Sequence, residues 1–363
     1  MSLFEKLIPY FLPKNQVIKT NLVPMDEIDE IVCFSNTAIG DTLFNTPVFR
    51  SLKKHFPNKK LVVLLNPTNY KLFETNQYID EVVLYDGKTK HFLSALKELK
   101  KIKPKLVLIL HSNDPQATPL AVLSGAKYII KIPNDKNPFN KWHTNPPIKG
   151  VENKHGIFNR LKQLEFLGIK ENDCKMDLPI KKEWQEEVNK FLPKDKKLIG
   201  FQIGASTISR MWFNDRWIEL GKKLLNLYPN INIVLTGGPN EKYLTDEVQK
   251  GINDNRVLNM AGKLSLGGAS ALISNLDLFI TPDTGPLHIA IATKTPTIGF
   301  FVVANHLGSN ACYDKDIHLY IQKSKTCTPC IAKSCKFAEC MEQIEVDEVI
   351  EKVNKFKGFI NVI

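Results

Sequence analysis

The feature that most constrains the fold is a regular alternation of short apolar runs, rich in β-branched residues, with longer segments of helical periodicity. The apolar runs occupy residues 31–34, 61–65, 82–85, 106–110 and 128–131 in the first half, and 198–203, 231–236, 257–259, 277–281 and 297–301 in the second half. Because runs that are apolar throughout are typical of strands buried on both faces, they predict parallel sheets covered by helices. The sequence therefore predicts an α/β fold made of two doubly wound, Rossmann-like lobes.

The length of the chain agrees with two domains. Its 363 residues exceed the size that a single hydrophobic core usually supports. Residues 173–197 contain Pro179, Pro193 and many charges, a composition typical of a connection between domains. We therefore place the domain boundary near residue 180, with helices predicted at 42–55 and 92–101 in the first domain and at 217–228 in the second.

The formal net charge of +11 favours anionic partners. Charge alone does not choose among nucleic acid, acidic lipid headgroups and phosphorylated glycans. The densest basic group, within residues 97–105, is not interleaved with aromatic residues in the way that single-strand binders are. Much of the basic surface is therefore expected to be solvated, and nucleic-acid binding is not predicted.

The N-terminal segment contains apolar residues at spacings of three and four, interrupted by Glu5, Lys6, Pro9 and Pro13. No small-residue cleavage site follows, so a signal peptide is not predicted. The spacing predicts a short amphipathic helix packed on the core of the protein, with a helix lying on a membrane surface as the alternative. The apolar runs elsewhere have the length of strands, and no membrane span is predicted.

The first candidate site follows the first predicted strand, at residues 35–42. In open α/β sheets, ligands bind outside the carboxyl ends of the strands, where a loop meets a helix. Gly40 would allow a tight turn there, and Asp41 would lie at or near the start of the helix. The local sequence also suits a structural role, because Asp is a favoured N-cap residue.

The second candidate site, at residues 204–212, follows the first strand of the second lobe. Its Ser206 and Thr207 hydroxyls, the backbone N–H groups and the Arg210 guanidinium could bind a diphosphate. The segment matches neither a Walker lysine pattern nor a G-x-G-x-x-G fingerprint. A surface loop with a solvated arginine is the alternative interpretation.

Two further glycine turns follow strands of the second lobe. Residues 236–241 end in Glu241, which could accept hydrogen bonds from ribose hydroxyls, although Gly-Gly-Pro is also an ordinary loop. In residues 281–288, Gly285 suits a tight turn into a helix whose N–H groups could meet a phosphate or a sugar. There Asp283 could instead be a helix cap, and His288 a helix residue satisfied by its neighbours.

The long segment 134–154 contains Trp142, His143 and several lysines, and it is predicted to be a loop. Cysteines 33 and 174 stand alone, as buried thiols do in a reducing compartment such as the cytoplasm. Four more thiols lie within fourteen residues, at Cys327, Cys330, Cys335 and Cys340. These four could hold zinc or iron, form disulfides, or remain a reduced structural cluster.

The chain resembles the family 9 glycosyltransferases, the bacterial heptosyltransferases of lipopolysaccharide core assembly. The resemblance rests on residues 39–47, on 204–212 followed by Arg216 and Trp217, and on 283–290, in that order. It implies a GT-B type α/β fold with two Rossmann-like domains facing a cleft. Residues 1–180 would bind the acceptor, residues 181–345 the nucleotide sugar, and the C-terminal helix, 346–363, would cross back to the first domain.

The resemblance also implies roles for individual residues. Asp41 matches the carboxylate that acts as general base, and Arg210 stands where the family commonly has a lysine that neutralises the departing diphosphate. The donor-binding residues implied by the resemblance are Ser206, Thr207, Glu241, Asp283, Thr284, Gly285 and His288. No metal or other cofactor is implied, and the cysteine cluster is not needed for transfer.

The implied reaction moves a heptose from ADP-heptose, with inversion, to an inner-core saccharide of lipopolysaccharide or lipooligosaccharide. The acceptor is an anionic lipid A core, which suits the net charge, and the implied location is cytoplasmic, at the inner face of the cytoplasmic membrane. The alternatives are a GT-B transferase with another donor or acceptor, such as a capsule or protein glycan, a nucleotide-sugar epimerase, or a non-catalytic binding protein.

Overall fold

The computed structural model describes residues 3–13, 16–132, 137–146, 155–193, 195–331 and 334–356. The chain divides into two compact units, Met1–Asp177 and Leu178–Ile363. Each unit contains one sheet in which all strand pairs are parallel.

The first unit contains a five-stranded sheet with helices between its strands. In chain order its elements are α1 Leu3–Leu7, β1 Glu30–Ser35, α2 Ile39–His55, β2 Lys60–Leu65, α3 Tyr70–Phe73, β3 Glu81–Leu84, α4 Phe92–Ile102, β4 Leu106–His111, α5 Ala117–Leu123, β5 Tyr128–Lys131 and α6 Gly156–Leu161. The sheet order is β3-β2-β1-β4-β5. The direction of winding therefore reverses between β1 and β4, and ligands of such sheets bind at this switch point.

The second unit contains a six-stranded sheet of the same kind. Its elements are α7 Lys182–Asn189, β6 Lys197–Gln202, α8 Asn214–Leu227, β7 Ile231–Thr236, α9 Lys242–Ile252, β8 Val257–Asn259, α10 Leu266–Ser274, β9 Leu278–Pro282, α11 Gly285–Ala292, β10 Thr297–Phe301, α12 His306–Ser309, β11 His318–Gln322 and α13 Val346–Val353. The order is β11-β10-β9-β6-β7-β8, so the switch point lies between β6 and β9.

The apolar runs that predicted strands are the cores of the two sheets. In the first unit, Phe34, Val62 and Val107 of three adjacent strands are at most 2% exposed and belong to one cluster with residues of α4 and α5. In the second unit, Phe201 and Ile233 are likewise fully buried. Because both faces of each sheet are covered, the strands are apolar throughout, and the prediction of two doubly wound α/β lobes is confirmed.

The last helix, α13, packs within the second unit. Its Val346, Val349 and Val353 are buried, and it contacts α8 and β10. The return of segment 346–363 to the first domain stays a prediction, and residues 357–363 lie outside the described residues.

The N-terminal helix packs on the core of the first unit through Phe4 and Ile8, as predicted. Of the long segment 134–154, only residues 137–146 are described, and they contain a short 3-10 helix, Asn140–Trp142. Trp142 and His143 are buried there. Across the described ranges, we find no helix with the length and apolarity that a membrane crossing requires.

Candidate active site

Asp41 lies in the first turn of α2, just beyond the carboxyl end of β1. The helix begins at Ile39 and its N-cap residue is Ala38, so the interpretation of Asp41 as the cap is wrong. One carboxylate oxygen of Asp41 accepts a hydrogen bond from Nη2 of Arg160 at 2.9 Å. The other accepts from the Thr37 hydroxyl at 3.2 Å. The carboxylate is therefore oriented from two sides, while the side chain keeps 30% of its exposure.

The partner Arg160 is delivered by α6 and is almost completely buried. Its guanidinium carbon lies 5.1 Å from the ring centroid of Phe44, a cation–π contact. Burial lowers the pKa of Arg160, and the neighbouring Asp41 carboxylate opposes this shift. Because an arginine keeps its proton in proteins, Arg160 provides Asp41 with a fixed positive partner in a protected setting.

Gly156 allows α6 to approach α2 this closely. A Cβ atom at Gly156 would lie 3.0 Å from the Phe44 ring and 3.2 Å from Nη1 of Arg160. A larger residue would therefore push apart the ring and the guanidinium that it faces. The glycine at the start of α6 is thus part of the support for Asp41.

His111 ends β4, on the other side of the switch point from Asp41. Its Nδ1 lies 2.7 Å from the Thr37 hydroxyl and 3.5 Å from Asp41 Oδ2. Since the Thr37 hydroxyl donates to Asp41, it accepts from Nδ1, and the neutral ring then carries its lone pair on Nε2. Partial desolvation lowers the pKa of His111, and the Asp41 charge acts in the opposite direction.

A cavity of about 360 Å³ lies beside this cluster and is lined in part by His111 and Arg160. Lys131 also lines it and forms an ion pair with Asp114 at 2.6 Å. The cavity gives a polar ligand access to the residues that hold Asp41. It is large enough to accept part of a sugar and is not a closed core void.

In the second unit, the segments after β6 and β9 meet at the switch point. Nη1 of Arg210 donates to the backbone carbonyl oxygen of Asp283 at 2.9 Å and lies 3.6 Å from its carboxylate. Thr284 is the N-cap residue of α11, so the alternative of Asp283 as the cap is wrong. Arg210 is thus held beside the positive end of the α11 dipole, and two positive potentials converge there.

Asp283 holds this arrangement together from a buried position. It is 6% exposed, and the Ser309 hydroxyl lies 3.4 Å from Oδ1. Nε2 of His288, on α11, lies 4.0 Å from the same oxygen. Gly285 begins the helix. Of the predicted donor-binding residues, Asp283, Thr284, Gly285 and His288 therefore lie together with Arg210.

The remaining predicted donor-binding residues lie on the neighbouring loops. The Glu241 carboxylate accepts from the Gly238 N–H at 2.8 Å, and a Cβ atom at Gly204 would lie 2.1 Å from Glu241 Oε1. A side chain at position 204 would therefore displace the Glu241 carboxylate from this position. Ser206 is exposed and Thr207 half-buried, and within the described residues neither hydroxyl bonds to Arg210, Glu241 or Asp283.

Two tryptophans explain how the loop after β6 is fixed. Trp212 ends the loop, is 1% exposed and donates from Nε1 to the carbonyl oxygen of Ile344 at 3.1 Å. Its ring meets that of Trp217 edge to face at a centroid distance of 4.9 Å. The loop that carries Arg210 is therefore anchored at its far end in the core.

None of the seven cysteines forms a disulfide, and burial raises the pKa of the Cys33 thiol. The disulfide alternative for Cys327, Cys330, Cys335 and Cys340 is therefore not realised. In the part of the chain that the structure describes, no group of three or more His, Cys, Asp or Glu side chains is arranged to hold a metal ion.

Two residues of the Asp41 cluster, His111 and Arg160, were not predicted from the sequence. Thr37 lies within the predicted site at residues 35–42, but no role was predicted for it. His111 directly follows the predicted strand 106–110, so its place at a carboxyl end was a usable signal. Arg160 is 119 positions from Asp41 in sequence and follows the segment predicted as a loop. No local pattern connects the two residues.

Comparisons with known proteins agree with this architecture. The model of glycosyltransferase family 9 (heptosyltransferase) matches residues 138–341, more than half of the chain. The lipopolysaccharide core heptosyltransferase OpsX of Haemophilus influenzae is 24% identical over 337 residues, which cover 89% of this chain and 95% of OpsX.

Two solved structures share the fold. The family 9 glycosyl transferase of Veillonella parvula superimposes with a TM-score of 0.78 at 22% identity, covering 94% of this chain and 100% of that one. The E. coli heptosyltransferase WaaC with ADP-2-deoxy-2-fluoro heptose gives a TM-score of 0.67 at 14% identity, covering 90% and 99%. The fold is thus of the GT-B type, as predicted, and the chain belongs to glycosyltransferase family 9, the heptosyltransferases.

Proposed function

We propose that the protein transfers a heptose, with inversion, from ADP-heptose to an acceptor saccharide of the lipopolysaccharide or lipooligosaccharide inner core. The observation that carries the proposal is the Asp41 carboxylate at the β1/β4 switch point, oriented by Arg160 and Thr37 beside a polar cavity. The name of OpsX and the donor analogue in the WaaC structure support heptose and ADP as the transferred group and the leaving group.

In the proposed mechanism, Asp41 removes the proton of an acceptor hydroxyl. The oxygen of that hydroxyl forms a bond to the anomeric carbon of the heptose, and the bond from that carbon to the β-phosphate oxygen of ADP breaks. Attack from the face opposite to ADP inverts the configuration. A positioned carboxylate contributes about 10² to 10⁴-fold to such a step, and the contacts of Asp41 with Arg160 and Thr37 provide the positioning.

The second unit is proposed to bind the donor. Arg210 and the N-terminus of α11 would stabilise the charge that develops on the departing diphosphate, so that the reaction needs no metal ion. Ser206 and Thr207 would donate to the phosphates, and Glu241 would accept from the ribose. Asp283, Thr284, Gly285 and His288 would fix the sugar and the β-phosphate.

We propose that each domain binds one of the two substrates and that the enzyme acts at the cytoplasmic membrane. Residues 1–180 would bind the anionic acceptor, residues 181–345 the ADP-heptose, and segment 346–363 would return to the first domain. The net charge of +11 suits the acceptor and the inner face of the cytoplasmic membrane. The enzyme would act in the cytoplasm, at the membrane surface.

The proposal is tested by incubating the protein with a panel of nucleotide sugars, with and without deacylated core oligosaccharides, and following the released nucleotide. We expect ADP from ADP-heptose only when an acceptor is present. Free sugar formed without an acceptor would identify an epimerase or a hydrolase instead. Acceptor-dependent release of a different nucleotide would show that the donor is wrong while the reaction class is right.

A further inference from the structure

The N-terminal segment, residues 3–13, has apolar side chains on two faces. Phe4, Ile8 and Leu12, spaced by four, face inward and pack against the core of the first unit. The ring of Phe4 meets that of Phe92 on α4 edge to face, at a centroid distance of 5.2 Å. The side chains of Leu7, Tyr10 and Phe11 do not join this row and are exposed.

The outward face carries Leu7, Tyr10 and Phe11, which we call the N-terminal apolar surface. Their exposures are 49%, 86% and 69%. The segment is not a free tail, because Leu12 is 4% exposed and the carbonyl oxygen of Pro13 accepts from Trp142 Nε1 at 3.1 Å. Large apolar side chains that are held exposed next to one another often mark an interaction site, so we expect this surface to have a partner.

Exposed lysines lie on the segment itself and at the start of α4, the helix that Phe4 contacts. Lys6 lies on the same segment and is exposed. At the start of α4, the helix against which the segment packs, Leu93 is 75% exposed and is flanked at helical spacing by the exposed Lys90 and Lys97. Within the described residues, none of these three lysines forms an ion pair. Their charges are available to an anionic partner.

We propose that the N-terminal apolar surface, together with these lysines, docks the protein on an anionic lipid bilayer. Aromatic side chains next to lysines are the composition of an interfacial anchor, and reversible membrane binding needs such a pair of apolar and basic signals. A second copy of the chain is a poorer partner, because it would bring the same lysines and another net charge of +11 to the contact. The docking proposal rests on the proposed function in one respect: a lipid-linked acceptor would place the substrate of the enzyme at a bilayer.

The test measures binding of the full-length protein to vesicles without any substrate. Co-sedimentation is compared between phosphatidylcholine vesicles and vesicles that also contain phosphatidylglycerol, for the wild type and for Tyr10→Ser/Phe11→Ser. Leu227→Ser/Tyr243→Ser is the matched control, since these residues are 55% and 68% exposed on the second unit. We expect binding only to the anionic vesicles, a fall of about tenfold or more for Tyr10→Ser/Phe11→Ser, and no change for the control.

Three results would overturn the proposal: no binding of the wild type to anionic vesicles, equal binding by Tyr10→Ser/Phe11→Ser, or a dimer in sedimentation that only this variant loses. Circular dichroism confirms that each variant is folded. Because the assay contains no donor or acceptor, its failure leaves the transfer reaction untested and intact. Failure of the donor panel likewise leaves the vesicle result standing.

Discussion

At the scale of single residues, the assignment of Asp41 depends on what touches it. The same carboxylate in the same turn of α2 could have been a structural residue. Instead it receives the Arg160 guanidinium and the Thr37 hydroxyl, and the cap position belongs to Ala38. An ion pair whose guanidinium is buried adds little net stability, because the guanidinium loses its hydration and the carboxylate loses part of its own. The pair instead orients the carboxylate. A general base needs this orientation because its oxygen must reach one particular acceptor hydroxyl.

Arg160→Lys tests this orientation. Lysine keeps the charge but loses the planar fork and the stacking on Phe44, so the carboxylate of Asp41 loses its fixed direction. We expect kcat for acceptor-dependent ADP release to fall about 10- to 100-fold, with little change in the KM for the donor. Steady-state kinetics at saturating acceptor give both values.

Arg50→Lys is the matched control for this variant. Arg50 lies on α2, the helix that carries Asp41, but pairs with Asp173 at 3.1 Å and with Asp177 instead of Asp41. The kcat of Arg50→Lys should stay near that of the wild type. Full activity of Arg160→Lys, or equal losses in the two variants, would show that Arg160 does not orient the base.

At the scale of elements, each candidate cluster sits at a switch point. The Asp41 cluster joins the ends of β1 and β4, and the Arg210 cluster joins the ends of β6 and β9. The sequence predicted these strands to within about two residues, because strands covered on both faces are continuous apolar runs. It therefore also predicted that the segments after them would line the ligand-binding edge.

The elements that were missed have weaker patterns. Strand β11 has two buried residues, two half-buried ones and the exposed Tyr320, and it lies at the edge of its sheet, so it lacks a continuous apolar run. Helix α7 lies in the charged stretch taken as a connection, and its buried residues are Trp184 and Val188. The contact of Arg160 with Asp41 could not be predicted, because packing of α6 on α2 is a tertiary event with no local signal.

The stability of the protein is expected to depend on pH through His318, the first residue of the edge strand β11. It is 2% exposed, and its Nδ1 lies 3.1 Å from the hydroxyl of Thr297, its register partner on β10. Burial lowers the pKa of His318 to about 4, with Asp314 and Asp316 opposing the shift. In the unfolded chain the pKa is about 6.5. Between these values the unfolded state binds more protons, so acid favours unfolding.

We therefore expect His318 to lower the unfolding free energy by up to about 1.4 kcal/mol for each unit by which the pH falls between about 6.5 and about 4. His318→Gln, which can still bond to Thr297, should remove this part of the slope. Urea unfolding followed by tryptophan fluorescence at several pH values measures it. If wild type and variant lose stability in parallel, His318 is not the titrating group.

At the scale of the whole molecule, family membership and catalytic chemistry rest on different parts of the chain. The family model matches residues 138–341, which contain Arg160 and the Arg210 cluster but not Asp41. The proposed role of Asp41 is therefore supported by its place at the β1/β4 switch point and by its contacts. It is the central claim of the proposed mechanism, and it needs its own measurement.

That measurement is acceptor-dependent ADP release by Asp41→Asn, with ADP-heptose affinity measured in parallel by calorimetry. Asn is isosteric with Asp but cannot take a proton, so the rate should fall by about 10² to 10⁴-fold while donor affinity, assigned to the second unit, is unchanged. Asp26→Asn, at an exposed position of the first unit, should behave as wild type. Full acceptor-dependent release by Asp41→Asn would contradict the assignment of Asp41 as the base.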